Sequence, residues 1–373
     1  MTTPRYTNRI ALSAALMLLP LLITVAILPG CTHQAPALLS ANNAATTVGY
    51  VGSAACAACH ASECKLQSNS SHAHTVRRAD TETLGSLAPP VGEIPGSPYS
   101  VVKKGDTGFR LVRTDRPEIG TDLEYAFGSG KAVSTYVGAI GKDTLTEIRM
   151  SYAPNSRKWY VTPSQVEVPD ANTGRTYEMG LAKKCVLCHA DKTDDKSAAP
   201  AEGSYGVGCE SCHGPGRDHI AAVQSGSGSE LKMQDSRKWG GERVNEVCGR
   251  CHRSFSAIPL TGADANNTAR FQPYGLELSP CFQKSGDRLS CITCHDPHTD
   301  ASTDLQHYDT ICLTCHSGSK IPKHDDKTVT AATCKVNPTN GCVNCHMPKR
   351  AIFPGTHLPL QMSDHQIWAP RKK

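Results

Sequence analysis

Residues 291–298 read CITCHDPH, and this stretch contains the pattern that decides the fold of the chain. Two cysteines separated by two residues, with a histidine directly after the second, are typical of covalent c-type haem attachment. Each thiol adds to one vinyl group of the porphyrin, and His295 then lies beneath the iron as its proximal ligand. His298 is too close in sequence to His295 to reach the opposite face of the same haem. If His298 binds iron, we expect that iron to belong to a neighbouring haem.

The CxxCH pattern occurs seven times in the 373 residues. We number the motifs 1 to 7 in chain order, at residues 56–60, 185–189, 209–213, 248–252, 291–295, 312–316 and 342–346. The predicted haem-attaching cysteines are Cys56, Cys59, Cys185, Cys188, Cys209, Cys212, Cys248, Cys251, Cys291, Cys294, Cys312, Cys315, Cys342 and Cys345. The predicted proximal iron ligands are His60, His189, His213, His252, His295, His316 and His346. Zinc ribbons and disulfides are alternative uses of paired cysteines, but neither requires a histidine after every second cysteine. The sequence thus predicts seven covalently attached haems c.

Eight histidines outside the motifs are the candidate distal ligands: His72, His74, His219, His298, His307, His324, His357 and His365. Because His72 and His74 are two residues apart, we expect one of them to serve. Met179, Met347 or Met362 is an alternative ligand at one iron. We expect the second ring nitrogens of the ligands to donate to carbonyls or propionates. The eight candidates are about as many as seven irons with two histidine ligands each would need. Iron held by two histidines has no open position, so the sequence favours an electron carrier and predicts no catalytic residue.

The first thirty residues resemble a bacterial lipoprotein signal peptide. Arg5 and Arg9 precede an apolar run at residues 10–28, and LPGC follows at residues 28–31. This pattern predicts export, lipidation of Cys31 and a tether to a bacterial membrane. An uncleaved anchor is the alternative, since about 20 apolar residues span a bilayer. Either interpretation places the remaining chain in the periplasm or at the cell surface, where c-type haem is attached.

The chain divides by composition into a signal peptide (1–30), a flexible tether (31–49), a first haem segment (50–97), a β-rich insert (98–168) and a six-haem domain (169–373). Residues 99–115, YSVVKKGDTGFRLVRTD, alternate apolar and polar side chains around a glycine, which predicts a hairpin. The expected fold class is a multihaem cytochrome c. It has mainly short α-helices and irregular loops around stacked haems, with a small antiparallel β-rich insert whose role is docking or covering haem edges.

The composition is consistent with a core made of haem. Aromatic residues make up 5% of the chain and hydrophobic residues 39%, so we expect porphyrins to supply the missing apolar bulk. The formal net charge is +5. Each ferric haem with two ionised propionates adds about −1, which brings the holoprotein close to neutral. The charge balance therefore gives no indication of nucleic-acid binding.

Several motifs together carry a resemblance to a known family. They are SSHAHT (70–75), CESCHGPG (209–216), CITCHDPH (291–298), CVNCHMP (342–348) and SDH (363–365). They resemble the exported multihaem cytochromes of the c-552/c-554 type, a group similar to the haem cores of hydroxylamine oxidoreductases and pentahaem nitrite reductases. The resemblance implies electron transfer between redox partner proteins through closely stacked haems, mostly with two histidine ligands each.

One departure from the related enzymes concerns the catalytic haem. The chain has no CxxCK motif, so the lysine-ligated catalytic haem of the pentahaem nitrite reductases has no counterpart here. The alternative function is an oxidoreductase that reduces or oxidises a small nitrogen or sulfur compound at one five-coordinate haem. The sequence favours the carrier and leaves this alternative open.

Three cysteines lie outside the motifs and beyond Cys31: Cys64, Cys281 and Cys334. In an oxidising compartment we expect two of them to pair. We predict a Cys281–Cys334 disulfide, since both residues lie shortly before a haem motif. Three cysteines permit three pairings, and buried free thiols are the alternative.

Overall fold

A computed structural model describes residues 49–368, except for residues 168, 170–171, 193–195, 228–231, 256–267, 286–287, 319 and 323–327. The predicted signal peptide, Cys31, the tether up to residue 48 and His324 lie outside the described residues. Within the described part of the chain, no helix is long and apolar enough to cross a membrane.

Most of the helices are short, and the haem motifs coincide with them. The helices are α1 Ser53–Cys56, α2 Ala61–Ser68, α3 Thr81–Leu84, α4 Met179–His189, α5 Cys209–His213, α6 Arg217–Gln224, α7 Gly241–His252, α8 Gln272–Leu278, α9 Pro280–Ser285, α10 Cys291–Cys294, α11 Leu305–His316 and α12 Cys342–His346. Motifs 2, 4 and 6 form the last turns of α4, α7 and α11, whereas motifs 3, 5 and 7 coincide with the short helices α5, α10 and α12. Residues three apart lie on one face of a helix, so both cysteines of a motif face the same side.

The strands are all paired in antiparallel fashion. They are β1 Val76–Arg78, β2 Gly92–Glu93, β3 Tyr99–Lys104, β4 Gly108–Arg113, β5 Gly120–Leu123, β6 Tyr125–Phe127, β7 Ser134–Ile140, β8 Thr144–Ala153, β9 Lys158–Val161, β10 Gly174–Glu178, β11 Lys320–Pro322, β12 Thr328–Thr330, β13 Lys349–Ala351 and β14 Gln361–Ser363. One sheet has the order β1-β6-β7-β8-β10, with β9 also paired to β8, and a second has the order β2-β3-β4-β5. Two further pairs are β11-β12 and β13-β14. The hairpin predicted at residues 99–115 is confirmed as β3 and β4.

The larger sheet recruits strands from outside the predicted insert at 98–168. Val76–Arg78 pairs with Tyr125–Phe127, and Gly174–Glu178 pairs with β8. A three-residue strand with two arginines shows no alternation that a sequence pattern could detect, because its partner decides its conformation. The antiparallel β-rich region is therefore present and larger than expected, while the domain boundaries stay predictions.

The two faces of the larger sheet pack against different parts of the described chain. Successive side chains of a strand point to opposite faces. Tyr125 and Phe127 therefore pack with Val186 of α4, whereas Ala126 between them packs with Ile148 in the core shared with the second sheet. Val186 is fully buried, and burying a side chain of this size contributes about 1.5–3 kcal/mol. The sheet thus fixes α4, which carries motif 2, against its outer face.

The predicted Cys281–Cys334 disulfide is wrong. Both residues have free thiols. The backbone N–H of Asn337 donates to the sulfur of Cys334 at 3.4 Å, while the sulfur of Cys281 faces His316. Position before a motif does not determine where a thiol points, and a disulfide needs a specific separation and direction of both side chains.

Candidate haem-binding site

One large cavity receives the CxxCH motifs. Its volume is about 3720 Å³, and its lining includes every predicted proximal histidine and every motif cysteine except Cys185 and Cys345. Pockets for a single small molecule measure about 300–1,000 Å³, so this cavity has room for several large cofactors. Among the described residues, no three His, Cys, Asp or Glu side chains converge on one point, as a zinc site would require. The volume and the lining of the cavity therefore fit several covalently attached porphyrins.

Backbone carbonyl groups orient several of the imidazole rings. The Nδ1 atoms of His189, His316, His346 and His365 lie 3.0, 2.8, 2.6 and 2.9 Å from a carbonyl oxygen. Because a carbonyl oxygen can only accept, Nδ1 carries a proton in each ring, and Nε2 is the nitrogen that can bind a metal. Burial lowers the pKa of His189 and of His365, which also favours the neutral ring. This is the arrangement of a metal-binding histidine whose second nitrogen is hydrogen-bonded.

Three histidine pairs lie close together, and each joins a predicted proximal ligand to a candidate distal ligand. The centroid distances and interplanar angles are 6.3 Å and 5° for His213–His298, 6.1 Å and 78° for His252–His72, and 6.2 Å and 40° for His295–His365. With metal–imidazole bonds of about 2.0 Å and a ring centroid about 1.1 Å behind each nitrogen, two opposed ligands have centroids about 6.2 Å apart. The three pairs therefore have the spacing that one iron between them requires.

His298 lies opposite His213, which belongs to motif 3 rather than to its own motif. The carboxylate of Asp296 accepts a hydrogen bond from Nδ1 of His298 at 3.0 Å. Gly214 follows His213 with φ of +83° and ends α5, a conformation that residues with a Cβ rarely adopt. The helix therefore ends directly after His213. The break and the Asp296 contact together orient the two rings.

The turn His72–His74 is held by the segment that precedes motif 3. The backbone N–H of Val207 donates to the carbonyl oxygen of His72 at 2.8 Å. A Cβ at Gly206 would clash with the carbonyl oxygen of Ala73, so only glycine permits this close approach. His72 lines the cavity, whereas His74 is outside its lining. The structure therefore selects His72 from the two candidates.

The other candidate distal ligands differ in position. His219 lies on α6 and lines the cavity. His307 on α11 and His357 in the turn between β13 and β14 are exposed and lie outside the cavity lining. His324 lies outside the described residues. The structure thus brings His219 to the cavity and leaves the other two at its periphery.

Buried polar side chains connect pairs of motifs, and no sequence pattern indicated them. Glu210 accepts hydrogen bonds from the backbone just before motif 1. Asn245 Oδ1 accepts from the N–H of Cys291 at 3.1 Å, and Asp309 accepts from the N–H of Cys342 at 2.9 Å. These three side chains are 1%, 2% and 5% exposed. They pair with N–H groups at helix starts that have no partner within the helix.

Cysteines of different motifs also contact each other. The interacting thiol pairs are Cys56 with Cys209, Cys188 with Cys251, Cys248 with Cys291, and Cys312 with Cys342. Burial raises the pKa of Cys56 to about 12. The contacts make neighbours of motifs 1 and 3, 2 and 4, 4 and 5, and 6 and 7.

Comparison with known proteins finds similarity to cytochromes, which agrees with haem binding in this cavity. Residues 153–214, which contain motifs 2 and 3, match the family model for cytochrome c554 and c-prime. The cytochrome c-554 of Nitrosomonas europaea is 38% identical over 97 residues, which cover 23% of this chain and 41% of that protein. The multiheme cytochrome MtrA of Shewanella baltica is 25% identical over 237 residues, which cover 56% of this chain and 67% of MtrA.

The chain is thus similar to multihaem c-type cytochromes. It is also 24% identical to the dissimilatory sulfite reductase MccA of Wolinella succinogenes over 80% of its own length and 50% of the length of MccA. The chain thus spans only part of the curated relatives that it matches. Among solved structures, the outer cell wall cytochrome OcwA superposes with a TM-score of 0.51 at 17% identity, covering 86% of this chain and 79% of OcwA. This last likeness concerns the fold alone.

Proposed function

We propose that this chain is an exported electron carrier with seven covalently attached haems, stacked closely and placed between redox partner proteins. Haem supplies one-electron chemistry when bound. The observation that carries the proposal is the set of three opposed histidine pairs, each at the spacing that two ligands of one iron require. An iron with two histidine ligands has no open position and exchanges electrons without binding substrate.

The contacts between motifs supply an order for electron transfer. Because each thiol bonds to the edge of its own porphyrin, neighbouring thiols from two motifs bring two porphyrin edges together. In addition to the thiol contacts above, Cys212 and Cys248 lie close enough to influence each other's charge, as do Cys294 and Cys312. We infer a linear order of motifs 1, 3, 4, 5, 6 and 7, with motif 2 joining at motif 4. Motif 4 is then the branch point of this order.

The location of this cytochrome is part of the same proposal. Lipidation of Cys31 would tether it to a bacterial membrane outside the cytoplasm, with residues 32–49 as the flexible connection. The apolar run at residues 10–28 followed by LPGC supports this extracytoplasmic position. Electrons would pass between a donor on one side of the haem chain and an acceptor on the other.

The test is spectroscopy of the oxidised holoprotein combined with voltammetry. The carrier proposal predicts only low-spin ferric haem by electron paramagnetic resonance (EPR), reversible reduction of every haem, and no catalytic current when sulfite, nitrite or hydroxylamine is added. A high-spin signal equal to one haem, together with a catalytic current for one of these compounds, would overturn the proposal.

A catalytic function is the second candidate, and one observation favours it. The similarity to the dissimilatory sulfite reductase MccA extends over 80% of this chain. In that function, one haem would keep its distal side open for a small sulfur or nitrogen compound. Sulfite is therefore the first substrate to include in the voltammetry.

A further inference from the structure

The thiol of Cys281 faces the proximal histidine of motif 6 across a short gap. Cys281 lies on α9, and its Sγ atom is 4.0 Å from Nε2 of His316, the last residue of α11. Both residues line the cavity together with Cys312 and Cys315 of the same motif. A free thiol and a haem-attachment motif therefore meet at one point of the cavity.

The hydrogen bonding of His316 determines which atom faces Cys281. Its Nδ1 atom lies 2.8 Å from the carbonyl oxygen of Ala332. A carbonyl oxygen accepts only, so Nδ1 carries a proton and Nε2 is the ring nitrogen that points toward the sulfur and can donate its lone pair to a metal. Two electron-pair donors thus face each other, as they do on opposite sides of a metal.

The separation fits an iron between the two donors. Metal–imidazole and metal–thiolate bonds of about 2.0 and 2.3 Å add up to about 4.3 Å for ligands on opposite sides. The observed 4.0 Å between Nε2 and Sγ is close to this sum. The three histidine pairs of the neighbouring motifs show the corresponding spacing for two imidazoles. The separation of His316 Nε2 and Cys281 Sγ therefore also matches two ligands of one iron, with sulfur in place of the second imidazole nitrogen.

We propose that Cys281 is the distal axial ligand of the haem attached at motif 6, opposite His316. The inference rests on the proposed attachment of a haem to Cys312 and Cys315. Binding requires the thiolate: the S–H proton leaves to solvent, a sulfur lone pair forms the bond to ferric iron, and no electron is transferred. An anionic ligand stabilises the ferric state, so this haem has a lower reduction potential than its bis-histidine neighbours.

The proposal also accounts for two earlier results. Cys281 is unpaired although two other cysteines outside the motifs are available. The motif 6 iron requires no distal histidine, which leaves the remaining candidates for motifs 1, 2 and 7. In the proposed order the motif 6 haem lies between those of motifs 5 and 7. Because its reduction potential would be low, it would hold an electron less readily than its neighbours and would control electron transfer between them.

The experiment compares oxidised holoprotein with Cys281→Ala and Cys281→Ser. The matched control is Cys334→Ala, which removes another free thiol outside the motifs. Low-temperature EPR of the wild type should show one low-spin signal with the small g anisotropy of thiolate ligation, integrating to one haem in seven. Near-infrared magnetic circular dichroism should show the matching charge-transfer band. Both Cys281 variants should lose these features and should raise the lowest reduction potential, whereas the control should keep them.

Several results would overturn the assignment. It fails if the wild type lacks the thiolate signal or if Cys281→Ala retains it. Should the Cys281 variants fail to mature, the wild-type spectra decide alone. Peptide mapping keeps this result separate from the proposed function. A wild type with haem on motif 6 but no thiolate signal removes only the Cys281 assignment, whereas a motif 6 peptide without haem removes both.

Discussion

The imidazole of His298 lies parallel to that of His213, with 6.3 Å between ring centroids and 5° between ring planes. Eighty-five residues separate the two in sequence, so the pair joins motif 3 to the segment after motif 5. One short stretch, CITCHDPH, thereby provides the proximal histidine of one proposed haem and the distal histidine of another. Because one stretch provides ligands to two proposed haems, the packing of the chain determines which haems are neighbours.

His298→Ala is predicted to open the distal position at motif 3. The oxidised variant should gain a high-spin EPR signal that integrates to one haem, and one low-spin signal should disappear. Asp296→Asn is the matched control, because the asparagine oxygen still accepts the hydrogen bond from Nδ1 of His298. It should keep the wild-type spectrum. An unchanged spectrum in His298→Ala would show that this histidine binds no iron.

His72 and His74 should behave differently when replaced. The rings of His72 and His252 are nearly perpendicular, at 78°. Perpendicular ligand planes leave two iron d orbitals close in energy, and a low-spin ferric haem then has a large g anisotropy. We expect His72→Ala to remove such an EPR signal and His74→Ala to preserve it. The reverse result would assign the ligand to His74 and would contradict the geometry of this turn.

The sequence predicted the attachment chemistry well because that chemistry is local. A CxxCH motif occupies five residues, and a single helical turn is enough to orient it, so motif and function are visible together. The hairpin at 99–115 was predictable for the same reason, since its alternation is contained in neighbouring residues. The antiparallel strands and the family resemblance were thus accessible from short stretches.

What the sequence did not reveal depends on distant contacts. Nothing near His298 specifies His213 as its partner, and nothing near Cys281 indicates that its sulfur faces His316 rather than Cys334. Strand Val76–Arg78 exists because Tyr125–Phe127 provides its hydrogen bonds. The apolar period that marks a core helix was also weak, since much of the core is expected to be porphyrin and the helices are short.

Asp309 is predicted to stabilise the start of α12. It is 5% exposed and accepts hydrogen bonds from the N–H groups of Gly341 and Cys342 at 2.7 and 2.9 Å. Asp309→Ala leaves these donors without their partner and should cost about 1–3 kcal/mol, seen as a lower melting temperature in calorimetry. The control Glu246→Ala removes an exposed partner of Arg243 and should cost at most about 1 kcal/mol. Equal effects of the two variants would contradict a buried cap.

Cys31→Ser is predicted to release the protein from membranes. Without the cysteine no lipid can be attached. Fractionation of expressing cells should move the haem absorbance from the membrane to the soluble fraction. A variant that stays tightly bound to membranes would support the uncleaved anchor instead.

The number of haems is the most direct test of the account, because the cavity, the histidine pairs and the proposed electron path all depend on it. Seven CxxCH motifs predict seven attached haems, and each adds about 0.6 kDa that persists after denaturation. The intact mass of fully matured, denatured protein should exceed that of the processed polypeptide by seven such increments. Six or fewer increments would contradict the account, and peptide mapping would show which motif carries no haem.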